Sequence, residues 1–136
     1  PHPGEFRRLF HHHQQHASIE FIRQMAQQHR LIIVHKGARP IVAAPDRPVT
    51  LIDAGTPGLA RGGSGDVLTG LMGGLVATAV RQGRDLVETV AAATWWHAEG
   101  GRLAAESRSQ LGVDGQNLAE FINRAIHAGV ITDHRV

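Results

Sequence analysis

The sequence predicts an α/β fold, a mainly parallel sheet flanked by helices, on three observations. Short, β-branched apolar runs, Leu31-Ile32-Ile33-Val34 first among them, have the pattern of strands buried on both faces of a sheet. Longer stretches on either side carry apolar residues at helical spacing. Eight of the chain's 16 glycines fall between Gly55 and Gly74, in a segment that leads straight into an apolar helix.

The elements follow in order. Pro1 to Glu5 reads as a loop punctuated by proline and glycine, and Phe6 to Phe10 as a short helix. The tract His11 to His16 then breaks the pattern; it contains four histidines, His11, His12, His13 and His16, and no carboxylate, which favours a solvated turn over a metal site. Ile19, Ile22, Met25 and Ala26 recur at helical spacing behind Ser18, a suitable N-cap, so a helix is expected from Ser18 to His29. Strands are expected at Leu31 to Val34, Ile41 to Ala44 and Val49 to Ile52, the last two separated by the turn Pro45-Asp46-Arg47-Pro48. Asp66 to Val80 is small or apolar nearly all round and is expected to be a buried helix, in which Gly70, Gly73 and Gly74 permit close packing. A further helix opens at Asp85, with Glu88 completing a capping-box pattern, and runs to about Ala105. The final one spans Gln116 to Ala128, with Asp114 near its start and Gly129 as its stop.

Composition excludes several classes of function. At 42% hydrophobic and 19% charged, the 136 residues suit one compact globular domain. The absence of cysteine removes disulfides and thiolate metal sites. No apolar run is long enough to span a bilayer and no leader-like segment opens the chain, so a soluble, unexported, cytoplasmic protein is expected. The formal charge is only +2, and 13 arginines against one lysine are spread from Arg7 to Arg135 without a dense cluster. With few aromatic residues to stack on bases, this argues against nucleic-acid binding.

Chemistry is concentrated in Gly55-Thr56-Pro57-Gly58-Leu59-Ala60-Arg61-Gly62-Gly63-Ser64-Gly65-Asp66. A loop without side chains lets backbone N–H groups approach a ligand, and the helix that follows adds a partial positive charge of roughly half a unit at its start. Both favour a phosphate. The P-loop would need Lys followed by Ser or Thr after Gly65, the dinucleotide fingerprint a glycine in place of Leu68, and the hydrolase elbow a glycine in place of Asp66. All three fail. A carboxylate at the mouth of an anion-binding helix suits a general base that takes the proton of an attacking hydroxyl while the amides of Gly63, Ser64 and Gly65 hold the charge developing on phosphorus. The alternative is that Asp66 caps the helix.

Three segments in order, PHPGEFRRL at Pro1 to Leu9, VHKGA at Val34 to Ala38 and GTPGLARGGSGDVLTG at Gly55 to Gly70, followed by an alanine-rich helix with Trp96 and His97, resemble the NAD(P)H-hydrate dehydratase family. The resemblance covers nearly the whole chain and implies a ribokinase-like fold, of which residues 1–136 would be the C-terminal half. It implies removal of water from hydrated NADH or NADPH at the expense of ADP or ATP, with Mg²⁺, by phosphorylation of the hydrate hydroxyl and elimination of phosphate. Carried over by residue, it sets His2 and Asp66 against the hydrate, with Asp66 as base. The adenine nucleotide would meet Lys36, Gly37, Ala38, Arg39 and Pro40, together with Gly62, Gly63, Ser64 and Gly65. Glu5 would hold Mg²⁺ through water, its alternative being a solvated loop carboxylate; for Lys36 the alternative is a structural ion pair.

Two departures from the family pattern stand out: Thr56 replaces an asparagine, and Arg61, in place of a smaller residue, either reaches phosphate or points into solvent. His35 and His97 receive no role. A homo-oligomer is expected, with an NAD(P)H-hydrate epimerase fused or separate. The competing expectations are a ribokinase-like kinase of a small alcohol such as a vitamin precursor, against which PHPGE argues, and an inactive truncated fragment, to which the missing initiator methionine and the short length point.

Overall fold

The computed structural model describes residues 1–11 and 16–132, the last three of these by backbone alone. Residues 12–15, most of the histidine tract, therefore lie outside the described residues. The chain divides into two compact units, Pro1–Asp53 and Ala54–Val136.

The first unit holds α1 (Pro3–Leu9), α2 (Ile19–His29), β1 (Ile33–His35), β2 (Ile41–Ala43) and β3 (Thr50–Leu51). Helix α1 starts earlier than the sequence pattern suggests, because Pro3 to Glu5 is its first turn and not a loop. His2 is the N-cap. Its Nδ1 accepts from the Gly4 and Glu5 amides at 3.0 and 3.3 Å, while the Glu5 carboxylate accepts the His2 amide at 2.7 Å. A proline at the first helical position and a reciprocal cap are strong start signals, with histidine in the place usually held by Ser or Asp. In α2, the Ser18 hydroxyl accepts the Phe21 amide at 3.1 Å, as the spacing predicts.

The sheet corrects the expected pairing. Its order is β1-β2-β3 and both pairings are antiparallel, Val34 facing Val42 and Val42 facing Thr50. The connections over residues 36–40 and 44–49 explain it, since a parallel crossover needs a dozen or more residues. Strand β1 is also shifted: Ile33 is buried, whereas Leu31 and Ile32 are exposed. Phe6, Ile22, Met25, Ala26, Ile33, Ile41 and Ala43 form the core between helices and sheet, with Phe6 stacked at a tilt on Phe10 and edge-on to His35.

The second unit comprises a 3₁₀ turn (Pro57–Leu59), α3 (Ser64–Gln82), α4 (Leu86–Arg108), a second 3₁₀ turn (Gln110–Gly112) and α5 (Gly115–Thr132). Asp85 and Asp114 cap α4 and α5, each accepting two amides from the first turn. Helix α5 continues through Gly129 to Thr132, so that glycine is not its stop. Val113, Ala104 and Phe121, with Leu59 and Leu103 against them, form the core here. Helix α3 departs most from expectation. Only Ser64, Leu68 and Ala79 are buried along it, and a Cβ on Gly70, Gly73 or Gly74 would meet nothing within 4 Å.

Candidate functional site

Within the second unit, the glycine-rich segment is held at three points. Gly58 sits so close to the second 3₁₀ turn that a Cβ would lie 2.8 Å from the Gln110 carbonyl oxygen and 2.9 Å from Val113, which no larger residue could accommodate without moving backbone. Thr56, in the place of the family's asparagine, accepts the Gly58 amide through Oγ1 at 3.4 Å and so starts the turn itself. Arg61 is exposed, and its guanidinium donates to the Val113 carbonyl at 3.0 Å, which tethers the loop to the segment just before α5.

The loop then turns through Gly63, whose φ of 88° is a left-handed conformation that glycine adopts without a Cβ penalty, and enters α3. Gly63 is the N-cap and offers no side chain to the helix amides. The Ser64 amide donates to the Arg61 carbonyl at 3.3 Å and the Asp66 amide to that of Gly63 at 3.1 Å. The amides of Gly62, Gly63 and Gly65 donate to nothing among the described residues. The amides left without a partner among the described residues at the mouth of this 19-residue helix are thus those of Gly62, Gly63 and Gly65. Unpaired N–H groups at a helix start attract anions.

Asp66 occupies the third position of α3, exposed, with no hydrogen bond or ion pair to its carboxylate among the described residues. The capping alternative is therefore not realised. Ser64, by contrast, is buried against His97 of α4, whose Nε2 lies 2.9 Å from the Ser64 carbonyl oxygen and 3.2 Å from its hydroxyl. Sequence reasoning left His97 without a role, since nothing local links positions 33 residues apart.

In the first unit, the structure brings His2, Glu5 and Lys36 together. Glu5 lies 3.8 Å from the Lys36 ammonium and 3.5 Å from His2 Nε2, so the ion-pair alternative for Lys36 is realised, though both partners stay partly exposed and such pairs add little stability. The hydrogen bond from the His2 amide, aided by the Lys36 charge, holds the Glu5 carboxyl below the usual carboxylate range. Gly37, Ala38 and Arg39 form an exposed bend between β1 and β2, flanked by half-buried Lys36 and Pro40. His35 is buried with its Nε2 lacking a hydrogen-bond partner among the described residues, and burial pushes its pKa down, toward the neutral ring.

Comparison with solved structures sets the class first. An ADP/ATP-dependent NAD(P)H-hydrate dehydratase from Bacillus subtilis, co-crystallised with ATP and Mg²⁺, superposes with a TM-score of 0.84 at 29% identity, over 94% of this chain and 46% of that one. A ribokinase-like superfamily protein from Enterococcus faecalis shares the fold at 23% identity, with a TM-score of 0.71 over 92% of this chain and 43% of that one. The fold is ribokinase-like. The chain belongs to the NAD(P)H-hydrate dehydratase family, whose family model matches residues 1–124. A bifunctional NAD(P)H-hydrate repair enzyme of Synechocystis is 47% identical over 122 residues, 90% of this chain and 23% of that protein. An ADP-dependent (S)-NAD(P)H-hydrate dehydratase of Cenarchaeum symbiosum is 33% identical over 126 residues, 90% of this chain and 42% of that protein. The chain thus spans under half the length of these relatives.

Proposed function

We propose that the complete protein containing this chain removes water from hydrated NADH and NADPH, with ADP or ATP as phosphoryl donor. The observation that carries this reading is the start of α3, where three glycine amides and the Asp66 carboxylate have no partner among the described residues. Family membership supplies the substrate class.

Asp66 takes the proton of the hydrate hydroxyl, and the freed oxygen attacks the terminal phosphorus of the nucleotide. The bond from phosphorus to its bridging oxygen breaks, leaving AMP from ADP or ADP from ATP. Gly62, Gly63 and Gly65 donate to the phosphoryl oxygens on which negative charge builds. Phosphorylation converts hydroxide into a far better leaving group. Phosphate then departs with the electrons of the C–O bond as the adjacent ring carbon loses a proton, restoring the dihydronicotinamide. His2 contacts the hydrate, and Lys36 to Pro40 contact the nucleotide, with the Lys36 ammonium offsetting phosphate charge.

Glu5 fits the magnesium role. Its carboxylate is held ionised and partly exposed, with lone pairs left beyond the single amide it accepts. Magnesium keeps most of its waters and takes one or two carboxylates plus substrate phosphates, so it needs no all-protein cage. Among the described residues no group of three or more His, Asp or Glu could hold a metal alone. When bound, the ion would neutralise charge on the transferred phosphates. No helix among the described residues is long and apolar enough to cross a membrane. The same reading makes the protein a cytoplasmic homo-oligomer, working with a fused or separate epimerase; the much greater length of the bifunctional relative supports fusion.

Recovery of dihydronicotinamide absorbance from NADH hydrate, followed in the complete protein with ADP and with ATP, tests the proposal. Recovery with one of the two is expected. No recovery with either, combined with phosphorylation of a vitamin alcohol, would transfer the assignment to a small-alcohol kinase.

A further inference from the structure

We propose that His97 is a positioning residue that aims the Gly65 amide at the transferred phosphoryl group. The inference rests on the reading of the Gly62–Gly65 loop as a phosphate site and adds to it a residue to which the sequence pattern assigns no role.

The geometry starts with the carbonyl of Ser64. A carbonyl oxygen only accepts, so the 2.9 Å contact requires His97 Nε2 to carry the hydrogen, which selects the Nε2–H tautomer of the neutral ring or the imidazolium. Both partners are buried, His97 at 8% exposure and Ser64 at 7%, so water does not readily compete for this bond. The imidazole is itself carried on α4, whose packing in the core leaves Val90, Ala93, Thr94 and Ala98 buried around it.

The consequence lies on the other side of one bond. The Ser64 carbonyl and the Gly65 N–H belong to the same peptide unit, which is planar and trans, with the two groups pointing in opposite directions. Gripping the oxygen therefore sets the direction of the Gly65 N–H. That amide is one of the three donors without a partner among the described residues. Ser64 and Gly65 open α3, and glycine on either side of Ser64 makes this first turn easier to deform than the rest of the helix, so the bond from His97 adds a second hold to that of the helix itself. A hydrogen bond to the carbonyl also polarises the peptide and strengthens its N–H as a donor. Contact with the Ser64 hydroxyl at 3.2 Å keeps that side chain turned toward α4.

The test uses the complete protein with His97→Ala and His97→Gln, the latter placing an amide N–H near the position of Nε2. Carbonyl-¹³C serine with ¹⁵N glycine selects, for NMR, glycine amides that follow a serine, of which this chain has one, Ser64-Gly65, and the signal that disappears in a Ser64→Ala variant assigns it in the complete protein. In His97→Ala the Gly65 resonance should move, and kcat should fall by about tenfold or more while the KM for ADP changes less than about threefold, the pattern of a contact made chiefly in the transition state. His97→Gln should restore both in large part. Three results would overturn the inference: an unmoved Gly65 resonance in His97→Ala, a lowered Tm with kcat preserved, or a glutamine variant as impaired as the alanine one. If the wild-type protein turns over no hydrate, the functional proposal fails, and the response of the Gly65 amide to added ADP decides this one. A response present in the wild type and lost in His97→Ala upholds it; the same behaviour in both proteins refutes it.

Discussion

Helices α3 and α4 are built from similar residues, small and apolar with glycines inside, yet they end in opposite environments. Along α4, eight residues are buried, including Gly100 and Gly101. A Cβ on Gly100 would lie 2.8 Å from the backbone nitrogen of Ile122, and one on Gly101 would lie 2.6 Å from the Leu59 side chain. On α3, within this chain of under half its relatives' length, a Cβ on Gly70, Gly73 or Gly74 meets no described residue within 4 Å and Val80 is 62% exposed. Glycine in a helix thus marks close packing only where a neighbour has come close. The N-terminal turn of α3 carries the unpaired amides and Asp66, so in this chain α4 supplies the packing and α3 the candidate chemistry.

Four substitutions sharpen or break that contrast. Asp66→Asn should lower turnover by on the order of a hundredfold, the scale of losing a general base, with Tm nearly unchanged because the carboxylate makes no cap. Steady-state kinetics and a thermal melt check it together; near-normal turnover would remove Asp66 from the base role. Gly100→Ala should cost about 1–3 kcal/mol of stability, because the added Cβ meets the Ile122 backbone of α5 at 2.8 and 2.9 Å as well as its side chain at 2.7 Å, and backbone cannot yield as a side chain can. Denaturant unfolding reads this value, and an unchanged midpoint would mean that α4 and α5 are packed less closely than described.

Glu99 on α4 gives a smaller, pH-dependent effect. Arg102 donates to both its carboxylate oxygens, at 2.8 and 2.6 Å, and this holds the Glu99 carboxyl below its ordinary value of 4.5. A carboxylate depressed in the folded state stabilises above its unfolded pKa and loses that contribution as pH falls through the lower, folded one. Arg102 is 41% exposed, so the contribution is discounted to about 0.5 kcal/mol. Glu99→Gln should accordingly lower Tm slightly at pH 7, with the difference from wild type closing below about pH 4; melts across pH 3–7 measure it. Gly73→Ala on α3 should do the reverse of Gly100→Ala, raising the stability of the 136-residue chain by about 0.5–1 kcal/mol through helix propensity alone. Destabilisation would show that something covers this face.

The sequence by itself determined the family and most of the helix starts. Ser18, Asp85 and Asp114 announce their helices because a cap is a contact between residues two or three apart, and the order of the PHPGE, HKGA and GGSGD segments is a property of the chain rather than of its folding. The apolar strand pattern suggested a parallel sheet and the structure shows an antiparallel one, for which the short connection over residues 36–40 was the overlooked signal. Only the tertiary structure decided that α3 is exposed, that Arg61 tethers the loop to Val113 and that His97 holds Ser64. Burial and contacts between residues distant in sequence depend on which surface arrives opposite which. Hydrophobic periodicity records the face a helix can bury, and it carries no information about whether a neighbour covers that face.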